Sequence, residues 1–180
     1  MSLSLYDVSV PVFGQYLAAL SGILTKTETH CASGALSEAA VIGSRLHQDM
    51  QPFPFQVRQA IVHSAGAVAT LRGHSYPRAE GLKTLKDCKA MVDAAVAYLA
   101  TVEPADLSVD PDTEVALMTP PGAKIGARDF LLSVSIGHFF FHITTAYDLL
   151  RHQGVPIGKR DFIGPLQVKA MGRWVSVHDE

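Results

Sequence analysis

The segment from Phe130 to Leu150 constrains this chain more than any other, because it is the longest predominantly apolar stretch in the 180 residues. Ser133, Ser135, Gly137, His138, His142, Thr144, Thr145 and Asp148 interrupt it, so no run reaches the roughly 18 uninterrupted apolar residues of a membrane span. A stretch this long and apolar, broken at helical spacing, must instead bury one face as a helix inside a protein core. The rest of the chain can supply that core. Apolar residues make up 48% of the sequence and charged residues 18%, well below the usual charged share of about 25%. Such a composition excludes global disorder, and the length suits one domain, residues 1–180, with one core.

Three further helices are predicted around this one. Phe13, Tyr16, Leu17, Leu20 and Leu24 recur at helical spacing within residues 4–28, where Ser4 and Asp7 resemble a capping box and Pro11 either kinks the helix or marks its true first turn. A second helix has its clear part over Gln56 to Leu71 and stops at Gly73. A third runs over residues 78–100 with Leu82, Leu85, Cys88, Val92, Ala95 and Leu99 on one stripe. The fourth spans residues 129–152 and is closed by Gly154 and Pro156. Between the first two, a short helix is expected near Ser37. Between the last two, the breakers Pro104, Asp110-Pro111 and Pro120-Pro121-Gly122 frame a small hairpin, Thr113–Met118 against Ala123–Ala127. The tail after residue 156 shows no strong period. The reading is an all-α four-helix bundle with a small β-hairpin between its third and fourth helices.

Charge and motifs narrow the function. Fifteen basic against 17 acidic residues give a net charge of −2, which argues against a nucleic-acid partner. The opening MSLSLYDVSVPVF has no basic n-region and no continuous apolar core, so the expectation is a cytoplasmic protein without a membrane association. Cys31 and Cys88 form no CxxC and read as free thiols. No P-loop, dinucleotide fingerprint or G-x-S-x-G elbow occurs.

The histidines carry the chemistry. Of eight, five sit beside polar or turn-type residues, whereas His63, His138 and His142 lie inside apolar helical sequence. At 100° per residue, His138 and His142 share one face with Leu131, Thr145 and Leu149, which predicts that both imidazoles point along the buried stripe. His63 shares a face with Gln56, Gln59, Ala60, Ala67 and Thr70, which suits a polar cavity. Two histidines at i, i+4 and a third from a neighbouring helix can give three nitrogens to one divalent metal, zinc or nickel, and leave a position for water or substrate. The bland alternative is that the same imidazoles only hydrogen-bond to one another or to Thr145. No carboxylate can be assigned to orient them.

FQVRQAIVHSAGAVATL and HFFFHITTAYDLLRHQGV resemble the DinB/YfiT-like superfamily of helical bundles, many of whose members look like metal sites built from one such histidine and an HxxxH pair. LYDVSVPVF, Arg45-Leu46 with Asp49-Met50, the segment from Phe141 to Val155, and IGKRDFIG (Ile157 to Gly164) resemble, more closely, one family of that superfamily known only as a domain of unknown function. The resemblance implies metal at His63, His138 and His142 and chemistry of the transferase, isomerase or hydrolase kind. It also implies a departure, since the family pattern resembles PNFYFH where this chain reads Gly137-His138. The rival expectation is a non-catalytic, metal-free homodimer that binds a ligand or partner through the same fold. Arg45 and Asp49 are expected to pair and cap the second helix. Tyr147 is expected to serve packing or an interface, and Lys159, Arg160 and Asp161 to dock the tail so that Phe162 and Ile163 are buried.

Overall fold

The computed structural model describes residues 3–78, 80–117, 120–170 and 173–177. Its helices are α1 (Val10–Ala32), α2 (Glu38–Gly43), α3 (residues 53–71), α4 (Leu85–Leu99), α5 (Ala127–His152) and α6 (Lys159–Ile163). Two antiparallel hairpins accompany them: β1 (Glu114–Ala116) with β2 (Lys124–Gly126), and β3 (Leu166–Ala170) with β4 (Arg173–Val177). The long helices α1, α3, α4 and α5 form the expected bundle, with α1 packed on α4 and α3 packed on α5.

Local chemistry sets the boundaries. Ser4 and Asp7 make their reciprocal bonds, Ser4 N to Asp7 Oδ2 at 2.9 Å and Asp7 N to Ser4 Oγ at 3.1 Å, but they close a turn ahead of the helix. The helix itself starts at Val10, with Pro11 in its first turn, where a missing N–H costs nothing. Ser37 caps α2 through Ala40 N. The helix α4 begins at Leu85, later than the predicted 78, because Thr84 and Asp87 form a full capping box there. The hairpin before α5 lies where the Pro-Pro-Gly signal placed it, with Val115 opposite Ile125 and Gly122 at φ +80° in its turn. Met118, the predicted end of its first strand, lies outside the described residues. The second hairpin was not expected. Two strands of five residues each are too short for their alternation to stand out from a tail of mixed composition.

The core contains Phe13, Leu17, Leu20 and Leu24 of α1, Val57, Ile61 and Val68 of α3, Cys88 and Val92 of α4, and Phe139, Ile143, Leu149 and Leu150 of α5, all essentially sealed from solvent. Each such side chain contributes about 1.5–3 kcal/mol of burial. Phe13 and Phe139 meet edge to face with centroids 4.8 Å apart, joining α1 to α5. Both cysteines are free, Cys88 in the core and Cys31 at its edge. By length and composition α5 could cross a membrane, with a mean hydropathy of 1.3 over its most apolar window, of which 33% is buried within the bundle.

The tail docks through Asp161 and Phe162, but Lys159 and Arg160 are exposed. Phe162 and Ile163 are half-buried where burial was expected, because the short α6 lies on the surface of α1. Phe162 wedges between Tyr16 and Tyr147, 5.4 Å from each ring centroid, which gives Tyr147 its packing role. Asp161 accepts from Lys26 at 2.6 Å, and Gln15 Nε2 donates to the Ile163 carbonyl at 2.8 Å. Gly164 then turns at φ +68° with its Cα face so near Ala19 that a Cβ would lie 3.0 Å from the alanine methyl. Only glycine fits there. Arg45 and Asp49, by contrast, do not pair. Arg45 donates to the Met50 carbonyl at 2.6 Å and Asp49 binds His47 at 2.5 Å, because the chain turns tightly at 47–50 and brings those nearer partners round first.

Aromatic packing should outweigh the surface ion pair in holding α6. Phe162→Ala is expected to lower the unfolding free energy by about 2 kcal/mol, and Lys26→Ala by less than about 1 kcal/mol. Urea denaturation of the two variants checks this, and the reverse ranking would assign the docking to charge.

Candidate metal centre

Two helices carry the three histidines, and both change register where they do so. In α3 the α-helical Phe53–Ile61 passes into a π turn, Val62–Gly66, before resuming as Ala67–Leu71. In α5 a π turn covers Phe130–Ser135, and Ile136–His152 follows as regular helix. A π turn inserts one residue without breaking the helix, and the backbone carbonyls that lose a partner need another. Ser64 Oγ donates to the Ala60 carbonyl at 2.6 Å, and Ser135 Oγ donates to the Phe130 carbonyl at 3.0 Å. Both serines are buried. His63 lies inside the first π turn, and His138 three residues beyond the second.

The expectation that His138 and His142 point along the buried stripe needs correction. His138 is exposed and His142 half-buried. The centre of the stripe on α5 runs through Phe139, Ile143, Ala146 and Leu150, so each histidine precedes a core residue by one position and stands at the stripe's edge. A uniform 100° wheel missed this. It put both histidines in phase with Thr145 and Leu149, which are indeed buried, but a wheel does not mark where the neighbouring helices stop sealing that face.

At that edge the three imidazoles converge. His138 Nδ1 and His63 Nε2 are 3.2 Å apart, and one nitrogen from each of His63, His138 and His142 lies within 4.8 Å of the others. The His63 and His142 rings are nearly parallel, 8° apart in plane with centroids 5.9 Å apart. Two nitrogens bound tetrahedrally to zinc at about 2.0–2.1 Å would be about 3.3 Å apart, so the His63–His138 separation already suits a shared ion.

Gln56 was not recognised as an orienting residue, and it is the missing one. Its side chain is 2% exposed and spans two contacts: Oε1 with His142 Nδ1 at 2.8 Å, and Nε2 with the Gln51 carbonyl at 2.8 Å. A backbone carbonyl only accepts, so the amide nitrogen must face Gln51 and the amide oxygen must face His142. Nδ1 of His142 therefore carries the proton and Nε2 keeps its lone pair. This is the role an outer partner plays at a metal-binding histidine, performed by an amide instead of a carboxylate. The signal was present, since Gln56 lies on the same face as His63, seven residues earlier.

Electrostatics keep the donors available. Burial, with the neighbouring His138 and His142, pushes His63 down to about 4. Burial, with His138, pushes His142 down to about 4. Both are neutral lone-pair donors at pH 7, and the donor set fits a divalent ion. In the unfolded chain the same groups titrate near 6.5, so the metal-free fold has this stability in full above that pH and loses it as pH falls toward about 4. Among the described residues no buried side-chain polar atom lacks a hydrogen bond.

Fold and site together define a DinB-like helical bundle with a three-histidine cluster at one edge of its core. The family described as Domain of unknown function (DUF1993) matches residues 5–163, and the chain belongs to it. A solved structure of a DinB family member protein from Shewanella denitrificans superposes with a TM-score of 0.84 at 28% sequence identity, covering 92% of this chain and 95% of that one. No protein of curated function matches.

Imidazole proton resonances followed from pH 7.5 to 4.5 in the metal-free protein should leave His63 and His142 neutral at pH 5.5. A midpoint at or above pH 6 for either would contradict the burial argument.

Proposed function

We propose that this protein binds one divalent metal ion, zinc or nickel, through His63, His138 and His142, and uses it on a small-molecule substrate as a transferase or hydrolase. The observation that carries this reading is the approach of three imidazole nitrogens within 4.8 Å, with Gln56 holding His142 in the tautomer that frees Nε2. A mutual hydrogen bond accounts for the approach of His63 and His138 at 3.2 Å, and not for the approach of His142 or for its orienting amide. Three protein ligands leave a coordination position for a substrate atom or water, and the exposed edge of His138 puts the site within reach of solvent. When bound, the metal supplies Lewis acidity, polarising a substrate oxygen or activating a thiol or water. The residues of the chain orient and exclude: Gln56 fixes His142, the π turn positions His63, and Phe55 and Phe141 flank the His142 ring at 6.0 and 5.1 Å.

The rival reading, a metal-free dimeric module that binds a ligand or partner, has one observation in its favour. Phe141 and Leu132 of α5 are 57% and 46% exposed. Isolated exposed apolar residues are common on monomers, so the histidine focus weighs more.

Protein purified without a histidine tag should carry about one metal ion per chain by mass spectrometry, and His142→Ala should lose it. Gln56→Leu should retain the fold and bind the metal about 10–100-fold more weakly in competition with a chelator. Metal that is absent, or unchanged by either substitution, would overturn the assignment.

A further inference from the structure

A cavity of about 350 Å³ opens between the first turns of α3 and the loop that precedes α4, and its lining includes Gln51, Phe55, Arg58, Leu82 and Lys83. The volume is in the range that holds a small organic molecule. Its chemistry is asymmetric. Phe55 and Leu82 give it an apolar floor, and its charged groups, Arg58 and Lys83, are both cations. Neither makes an ion pair within 4 Å among the described residues. The Lys83 charge contributes to lowering the Asp87 pKa, but the Asp87 carboxylate is engaged by the backbone N–H groups of Lys83 and Thr84 in the cap of α4. Arg58 is held over the Phe55 ring, its guanidinium carbon 4.8 Å from the centroid. That contact fixes the guanidinium plane and leaves its N–H groups to make other bonds.

The cavity is joined to the histidines twice. Phe55, which carries Arg58 over its ring, also meets His142, with centroids 6.0 Å apart. Gln51, at the cavity wall, offers the carbonyl that holds Gln56, and Gln56 holds His142.

We infer that this cavity is the substrate subsite for an organic carboxylate, with Arg58 binding the carboxylate as a two-pronged donor and Lys83 adding charge. The inference rests on the metal reading for calling the ligand a substrate, and not for the binding itself. Two cations, neither in an ion pair within 4 Å among the described residues, beside an apolar floor favour an anion with a hydrophobic body over a neutral ligand, because a charge-assisted bond to the guanidinium is stronger than a neutral one.

The test uses phenylacetate and its uncharged analogue phenylacetamide, titrated by calorimetry into zinc-loaded and metal-free protein. Phenylacetate should bind in both forms and the amide about tenfold more weakly, as expected from loss of a charge-assisted pair. Arg58→Gln should remove that preference. Lys83→Gln, at an exposed position that the fold does not need, should reduce phenylacetate affinity severalfold. Equal affinity for acid and amide, no response to either substitution, or acid binding that disappears when zinc is removed would overturn the inference, the last because the carboxylate would then sit on the metal. Metal content measured on the same samples separates the two readings. Normal anion binding by a protein that holds no zinc defeats the metal site alone, and normal zinc with no acid preference defeats the carboxylate subsite alone.

Discussion

The packing of α3 on α5 is the contact on which the rest of the structure depends. Val57 and Ile61 on one helix, and Phe139 and Ile143 on the other, are buried in the common core. Because helical side chains repeat every 3.6 residues, sealing those positions leaves the residues one step before Phe139 and Ile143 at the margin of the seam. Those residues are His138 and His142. A core of aliphatic and aromatic side chains thus holds two polar rings where it ends, His142 near enough to the apolar interior to stay neutral and His138 near enough to solvent to be reached.

The π turns add what regular helix geometry does not. A register shift within α3 carries His63 toward the partner helix, and a second precedes His138 on α5. Each costs backbone hydrogen bonding, and each is relieved by a buried serine hydroxyl bonded to a carbonyl of the preceding turn. The Gln56 amide then supports one of the imidazoles, that of His142. Substrate chemistry would be arranged along the same helix. Gln56 holds His142, Phe55 meets both His142 and Arg58, and Arg58 lines the cavity.

Much of this was legible in the amino-acid sequence, for identifiable reasons. Long apolar stripes, a proline in the first turn of α1, Pro-Pro-Gly in the hairpin and glycine after α5 are local signals, and each lies where the corresponding element begins, turns or ends. The histidine set was legible because three polar rings in apolar helices are conspicuous. What lay beyond reach depends on the third dimension. A wheel gives a face but not where the neighbouring helices stop sealing it, so the exposure of His138 could not be obtained from the sequence. The start of α4 was misplaced because propensity extends through residues 78–84, whereas the Thr84–Asp87 capping box stops it. Arg45 and Asp49 looked like a pair at i, i+4, but the tight turn between them gave each a closer partner. The role of Gln56 depends on which of its two amide ends meets Gln51, a fact of tertiary geometry.

The central claim is that three imidazoles share one ion, and X-ray absorption at the metal edge addresses it directly. On tag-free protein reconstituted with one equivalent of zinc, the account predicts an inner shell of nitrogen and oxygen at about 2.0–2.1 Å, with the outer-shell multiple scattering of about three imidazole rings. A shell dominated by sulfur at about 2.3 Å, or one of oxygen atoms without imidazole scattering, would contradict it.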